Sequence, residues 1–348
     1  MSDAAPRDEI ELVEKLSRPD DPTRSALASL DGDILIVGAG GKMGPTLARM
    51  ARRALDDIGA ARTGANARRV IAVSRFSNAA AADALQQVGV EIVRADVANP
   101  NSVRALPQAA NVIWMVGQKF GTTGDPVGTW TQNVAAAVYG ADQCGNSRVV
   151  CFSTGNVYDR TPLTAQGSRE NDQLVGHGEY AASCIGRERV FESASQRLQF
   201  PLLLYRLFYA CDLRYGVVTD IALRVLRGEP VSLATRAVNV IWQGDANRLA
   251  LRALTLATSP ATALNVTGKI TLVTMLAERI AQSLRREVTF EDASTGDVLL
   301  ANTDKLRQLL PSDALPIETL CDWAADWAMS GAQLLNKPTK YDVRDGKF

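Results

Sequence analysis

The chain has very little histidine: His177 is the only one in 348 residues. A metal centre built on imidazoles is therefore not what organises it. Its five cysteines (Cys144, Cys151, Cys184, Cys211 and Cys321) are scattered, with no C-x-x-C pair. An odd, dispersed set of thiols fits a reduced, cytoplasmic setting better than a disulfide framework. No charge of one sign dominates, since Lys plus Arg and Asp plus Glu both number 38. That balance argues against nucleic acid as a partner. No apolar run reaches the length of a membrane span, and the polar, mixed-charge residues 2–9 lack the apolar core of a signal segment. What is present in quantity is apolar side chain, at 46%, enough for one large or two moderate domains with a real core.

The most informative stretch is Asp33-Ile34-Leu35-Ile36-Val37-Gly38-Ala39-Gly40-Gly41-Lys42-Met43-Gly44. It reads as a short apolar strand, a glycine-rich turn enclosing Lys42 and Met43, and the start of a helix. Glycine suits a sharp turn or a close approach of backbone to ligand. A helix that begins just after such a turn offers free N–H groups to an anion. Gly38, Gly41 and Gly44 are thus expected to cradle a pyrophosphate, in the strand–turn–helix context that a dinucleotide site requires.

Around this stretch, apolar runs alternate with helical segments. Strands are expected at 33–37, 69–74, 90–93, 111–116, 148–153 and 202–206. Helices are expected at 45–53, 79–87, 130–143 and 180–196. Short apolar runs spaced by helices predict a parallel sheet covered on both faces. Residues 1–30 read as an extension: Ile10, Leu12, Val13 and Leu16 give it one apolar helical face, with Pro19 and Pro22 ending the helix. After Arg206 the rhythm breaks. Helices at 218–227, 246–258, 273–285 and 317–329 mix with short strands at 238–241, 264–266 and 287–290. The expected division is an extension (1–30), a dinucleotide-binding unit (31–206), a smaller mixed lobe (207–335, with about 238–258 packing back on the first unit) and a polar tail (336–348).

Several positions carry a family resemblance together. Gly38, Gly41 and Gly44 match a G-x-x-G-x-x-G, and Asp96-Val97 match the acidic residue after the third strand. Asn133-Val134 match an Asn-Val in the helix after the fourth strand. Thr154 lies three residues before Val157-Tyr158, Tyr180 follows a Glu, and Asn265-Val266 come late in the chain. In these features, over roughly residues 33–330, the chain resembles the extended short-chain dehydrogenases/reductases, the NAD-dependent epimerase/dehydratase group. The resemblance implies an α/β, Rossmann-type doubly wound parallel sheet with a smaller mixed C-terminal substrate lobe. It implies a bound NAD(P), with Asp96 and Val97 near the adenine and Val116 and Gly117 along the same ligand edge. Tyr180 would exchange a proton with a substrate oxygen, and Thr154 would hold that oxygen. The resemblance also implies a homodimer formed through two sheet-flanking helices, one of them the Tyr180 helix.

The largest departure is at the position four residues after Tyr180. There the family carries a lysine whose charge helps a phenol of ordinary pKa near 10 to act near neutrality, and this chain carries Cys184. Lys119, just after the fourth strand, is the favoured substitute cation, with His177 in the loop before Tyr180 as the second choice. Cofactor choice rests on the end of the second strand, Ser74-Arg75-Phe76-Ser77-Asn78, which has no carboxylate. An arginine there matches a 2′-phosphate with a forked pair of donors, so NADP is preferred over NAD.

Gly155-Asn156 stand where family dehydratases carry an Asp-Glu pair, which removes the acid and base for eliminating water. The arginine with which nucleotide-sugar members hold a diphosphate would fall at Val238, with Arg236 out of step. A small polyhydroxylated substrate such as a sugar or sugar acid is therefore expected, with Asn156, His177, Asp212, Arg214 and Tyr215 lining its pocket. The expected activity is hydride transfer at a carbinol or carbonyl carbon, by a dehydrogenase, reductase or epimerase. The alternative is a non-catalytic NAD(P)-binding sensor of the same fold.

Overall fold

The computed structural model describes residues 4–60, 64, 67–293, 296–337, 339, 341 and 342. Most of the polar tail at 336–348 lies outside them. The framework is a seven-stranded sheet made of β1 (Ile34–Val37), β2 (Val70–Ser74), β3 (Glu91–Arg94), β4 (Asn111–Trp114), β5 (Arg148–Thr154), β6 (Leu202–Leu207) and a late strand, Thr262–Val266. From one edge to the other the order is Thr262–Val266, β6, β5, β4, β1, β2, β3, and every pairing is parallel.

Strand β1 shows why this sequence makes a buried sheet. All four of its residues are buried, and they alternate between two cores. Ile34 and Ile36 face one side with Val70 and Ala72, whereas Leu35 and Val37 face the other with Ile71 and Val73. A strand with both faces covered needs apolar residues at every position, and a two-residue side-chain period delivers them to both layers.

The helices that cover the sheet follow from local signals. Helix α1 (Glu9–Leu16) and α2 (Asp21–Ala28) precede the sheet, and α3 (Gly44–Asp57) follows the glycine turn. Next come α4 (Ala79–Gln87), α5 (Pro100–Arg104), α6 (Pro126–Trp130), α7 (Ala136–Ala141) and α8 (Gly178–Leu198). Pro22 does not end a helix, as its position suggested. It lies in the first turn of α2, where proline is tolerated because the N–H it lacks would have no partner. Asp20 caps that turn by accepting the Thr23 N–H at 2.9 Å. Between α6 and α7 the chain makes one π-turn, Thr131–Ala135, which carries Asn133. Such bulges often mark functional positions.

After β6 the chain builds a second core from α9 (Val217–Arg227), α11 (Val273–Leu284) and α13 (Ile317–Met329), numbered past the helix α10 (Gln243–Ala253). Leu12 and Leu16 of α1 are buried in that second core, and Leu27 of α2 in the sheet core. The N-terminal extension thus straddles both units. Helix α10 packs with the sheet core. The strand 262–266, which the broken rhythm had assigned to the lobe, returns to the main sheet beside β6.

Candidate active site

In a parallel sheet the C-terminal ends of all strands lie along one edge, where ligands of open α/β sheets are held. That edge gathers the glycine turn after β1, Ser74 at the end of β2, Asp96 after β3, Val116 after β4 and Thr154 at the end of β5. Gly38 has φ +92° there, and a Cβ on it would lie 2.8 Å from the backbone of Met115 and Val116. A Cβ on Gly44 would come within 2.3 Å of the Ala39 carbonyl oxygen, so α3 can pack this close only without a side chain. A Cβ on Gly41 would meet only the Gly38 oxygen at 3.4 Å, leaving that face of the turn open. Met43, the residue before α3, gives no side-chain cap to the helix. The first N–H groups of α3 therefore keep their capacity for an anion, and the turn fits a dinucleotide pyrophosphate.

The other residues of this edge are arranged as follows. Arg75 is exposed, and Ser74 lies against the turn, its Oγ only 2.5 Å from where a Gly40 Cβ would stand. Val97 is buried, while Asp96 is exposed and accepts the Ala98 N–H at 3.0 Å. Lys42 reaches across the turn to the Ala210 carbonyl at 2.9 Å and lies over the Tyr215 ring at 4.1 Å. Burial lowers its pKa, against the pull of Asp212. Asn133 in the π-turn fixes the loop after β4: its Oδ1 accepts the Gln118 N–H at 2.7 Å, and its Nδ2 donates to the Gln118 oxygen at 3.1 Å and Ser183 Oγ at 2.8 Å.

The reactive end of the site is a directed chain of hydroxyls. Thr154 Oγ1 accepts from the Asn156 backbone N–H at 3.2 Å and from Asn156 Nδ2 at 3.0 Å. Both contacts use the oxygen as acceptor, so its own proton is available to Tyr180, to which it is hydrogen-bonded. The Tyr180 hydroxyl is also hydrogen-bonded to Cys184. Burial raises the Tyr180 pKa above the ordinary phenol range and Cys184 adds to the rise, while Thr154 and the Arg187 charge lower it. The start of α8 is held by Trp130, whose indole N–H donates to Glu179 at 2.6 Å.

A cation hydrogen-bonded to Cys184 is one that the sequence alone did not single out. Arg187 is buried, donating from Nη1 to the Val116 carbonyl at 2.7 Å and from Nη2 to Cys184 Sγ at 3.4 Å. A signal for it was available: Tyr180, Cys184 and Arg187 are spaced i, i+4, i+7 and so share one helical stripe. Lys119 lies with its ammonium over the Phe120 ring at 5.7 Å, and Phe120 in turn meets the edge of Tyr215 at 6.2 Å. Its pKa falls to about 8, first through burial and then through the charge of Lys42, with Cys184 opposing.

The remaining candidates are differently placed. His177 is exposed, and its Nε2 is bonded to Asp159 at 2.9 Å. Asp212 is fully buried and receives Arg214, whose other partner is Glu9 of α1. These two residues tie the N-terminal arm to the second core instead of opening toward a ligand. Tyr215 alone of that loop faces Lys42 and Phe120. Two other positions of the family pattern meet directly, since the Tyr158 hydroxyl donates to Asn265 Oδ1 at 2.8 Å.

No family model matches the chain and no curated protein matches it. Solved structures do. The UDP-Glc/GlcNAc 4-epimerase of Campylobacter jejuni is similar at 20% identity and a TM-score of 0.67, over 85% of this chain and 99% of that one. A UDP-glucuronic acid 4-epimerase from Bacillus cereus, in complex with NAD and a fluorinated UDP-sugar, gives 16% identity and 0.69 over 85% and 99%. The UDP-glucose 4-epimerase of Thermus thermophilus, in complex with NAD, gives 18% and 0.65 over 85% and 98%. The chain has the fold of these solved structures. In this chain that fold is seven parallel strands with buried cores on both faces of the sheet.

Proposed function

We propose that the protein is an NAD(P)-dependent oxidoreductase or epimerase acting at a carbinol or carbonyl carbon of a small polyhydroxylated substrate. One observation carries this reading: the Thr154–Tyr180 hydroxyl pair at the same sheet edge as an open, uncapped glycine turn. A pure binding module has no use for two hydroxyls on one proton path. When bound, the dinucleotide supplies a carbon that accepts or returns hydride. The turn from Gly38 to Gly44 would hold its pyrophosphate, and Val116 and Gly117 would border its inner half. Tyr180 gives or takes the proton of the substrate oxygen, Thr154 orients that oxygen, and Asn156 fixes the direction of the Thr154 proton. Tyr215 and Lys119 border the substrate side. The unit ending near residue 206 would carry the cofactor, and residues 207–335 mainly the substrate lobe.

We prefer NADP, because the exposed Arg75 follows β2 with no carboxylate among residues 74–78. The test is parallel titration with NADP and NAD, followed by a screen of sugars, sugar acids and UDP-sugars for change in reduced-nicotinamide absorbance. Arg75→Ala is expected to weaken NADP about tenfold and leave NAD nearly unchanged. Tyr180→Phe is expected to lower turnover about 10²-fold or more while the cofactor still binds. Turnover unaffected by Tyr180→Phe would refute the catalytic assignment, and tight binding with no turnover on any substrate would favour the sensor reading, whose support is Cys184.

A homodimer through α6, α7 and α8 is the assembly we infer. Val127, Trp130 and Val138 there are 76%, 41% and 42% exposed, an apolar stripe of the kind that marks an interface. Light scattering that finds only monomer at micromolar concentration would exclude it.

A further inference from the structure

Helix α8 buries a charge that neither the fold nor the proposed reaction yet accounts for. Arg187 is 5% exposed, and its hydrogen bonds run to two neutral acceptors, the Val116 carbonyl and the Cys184 sulfur. Its Nε is buried with no hydrogen-bond partner among the described residues. Burying a guanidinium on neutral acceptors is costly, and the surroundings are shaped to accept it. A Cβ on Gly117 would lie 2.7 Å from Nη1, so the guanidinium keeps its present place because residue 117 has no side chain. The Asn133 lock on Gln118 holds the next residue of that loop in place.

We propose that Arg187 supplies the positive charge missing at position 184, acting as a positioning residue on Tyr180 through the Cys184 sulfur. The inference rests on the reading above only in naming Tyr180 as the proton-bearing group. An arginine in place of the sulfur would have no room, because residue 184 is fully buried. Moving the cation three residues along the same stripe lets a longer side chain bring its charge back to the same place, with a small, polarizable sulfur between it and the phenol. Other titratable or charged groups also face this cluster: Glu188 of α8, Cys151 of β5 and Lys119 from the loop after β4. Lys119 lies over Phe120 and beside Lys42, and its charge also acts on Cys184. Arg187 donates a hydrogen bond to Cys184, and it is on the same helical stripe as Tyr180.

The experiment is a pH titration of ring-labelled tyrosine in the cofactor-free protein, followed by carbon NMR, with Tyr180→Phe identifying the Tyr180 resonance. The cofactor plays no part, so failure here and failure of the proposed enzymatic function are separate results. In Arg187→Met and Arg187→Gln the Tyr180 midpoint is expected at least about one pH unit higher than in the wild type, a tenfold loss of phenolate at a given pH. Arg187→Lys is expected to stay near the wild type. Glutamine retains a donor for the Val116 carbonyl without the charge, so it separates electrostatics from packing. A glutamine variant that titrates along the wild-type curve would overturn the proposal, as would a lysine variant that follows glutamine. If the methionine variant does not fold, the glutamine and lysine variants still decide.

Discussion

Two buried arginines press on helix α8, and they are treated in opposite ways. Arg206, from β6, is fully engaged: Nε and Nη2 donate to the two carboxylate oxygens of Glu188 at 3.0 and 2.8 Å, and Nη1 donates to the Tyr158 hydroxyl at 2.6 Å and the Glu170 carbonyl at 2.8 Å. Glu188 also accepts from Ser153 at 2.5 Å, and Tyr158 passes the network on to Asn265. Arg187, the adjacent residue to Glu188, has a carbonyl, a thiol and an idle Nε. A charge cancelled by a bidentate carboxylate holds elements together and projects little field beyond itself. A charge whose hydrogen bonds run to neutral dipoles keeps more of its field, and Tyr180 is among the groups within reach of it, with Cys184, Cys151 and Glu188.

The contrast predicts a division of effects. Arg206→Met leaves Glu188 ionised and unpaired in a site that is 0% exposed, and should cost about 3–5 kcal/mol of stability. Chemical denaturation would read this, and a loss below about 1 kcal/mol would mean that the pair is far weaker than its geometry implies. Arg187→Met strands no carboxylate and should cost less, about 1–3 kcal/mol, chiefly from the Val116 carbonyl that loses its donor. The same variant should change the Tyr180 titration, and Arg206→Met should not. If both substitutions moved the phenol equally, the two arginines would not differ in role.

How much of this could be read beforehand depends on whether the governing interaction is local. The β1 strand and its glycine turn were legible because burial on both faces and the need for small residues are written into adjacent positions. The strand 262–266 was not, because the chain leaves the sheet after β6, builds the second core and then returns; a local pattern cannot report which sheet a strand will join. Asp212 and Arg214 were of the right residue type for a polar pocket. Their real partners are each other and Glu9, and the latter lies at the far end of the sequence. The partner of His177, Asp159, was likewise out of local view, eighteen residues earlier in the chain. Arg187 was hidden in another way. Its spacing was visible, but an arginine on a helix reads as a surface side chain until its burial is known.

The smallest expected effect concerns the third cation near this cluster and has a definite pH signature. Lys119 has a pKa of about 8, below the ordinary lysine range because burial and the Lys42 charge disfavour its ammonium. Below that pH the folded and unfolded chains both hold the proton, and the folded state bears the full penalty of the charge. As pH rises from about 8 toward the ordinary value near 10.4, the unfolded chain keeps the proton that the folded chain has released, so this residue's penalty shrinks. Lys119→Met should therefore stabilise the protein near neutrality by about 1–2 kcal/mol, allowing for screening by solvent, and the advantage should fade as pH approaches the ordinary lysine pKa. Thermal melts of the wild type and the variant at neutral and alkaline pH would read it. A variant less stable than the wild type at neutral pH would mean that the Lys119 ammonium is held by favourable contacts. The penalty that burial and Lys42 impose on the Lys119 ammonium would then be outweighed by its contacts, and Arg187 alone would remain as the uncompensated charge of this pair.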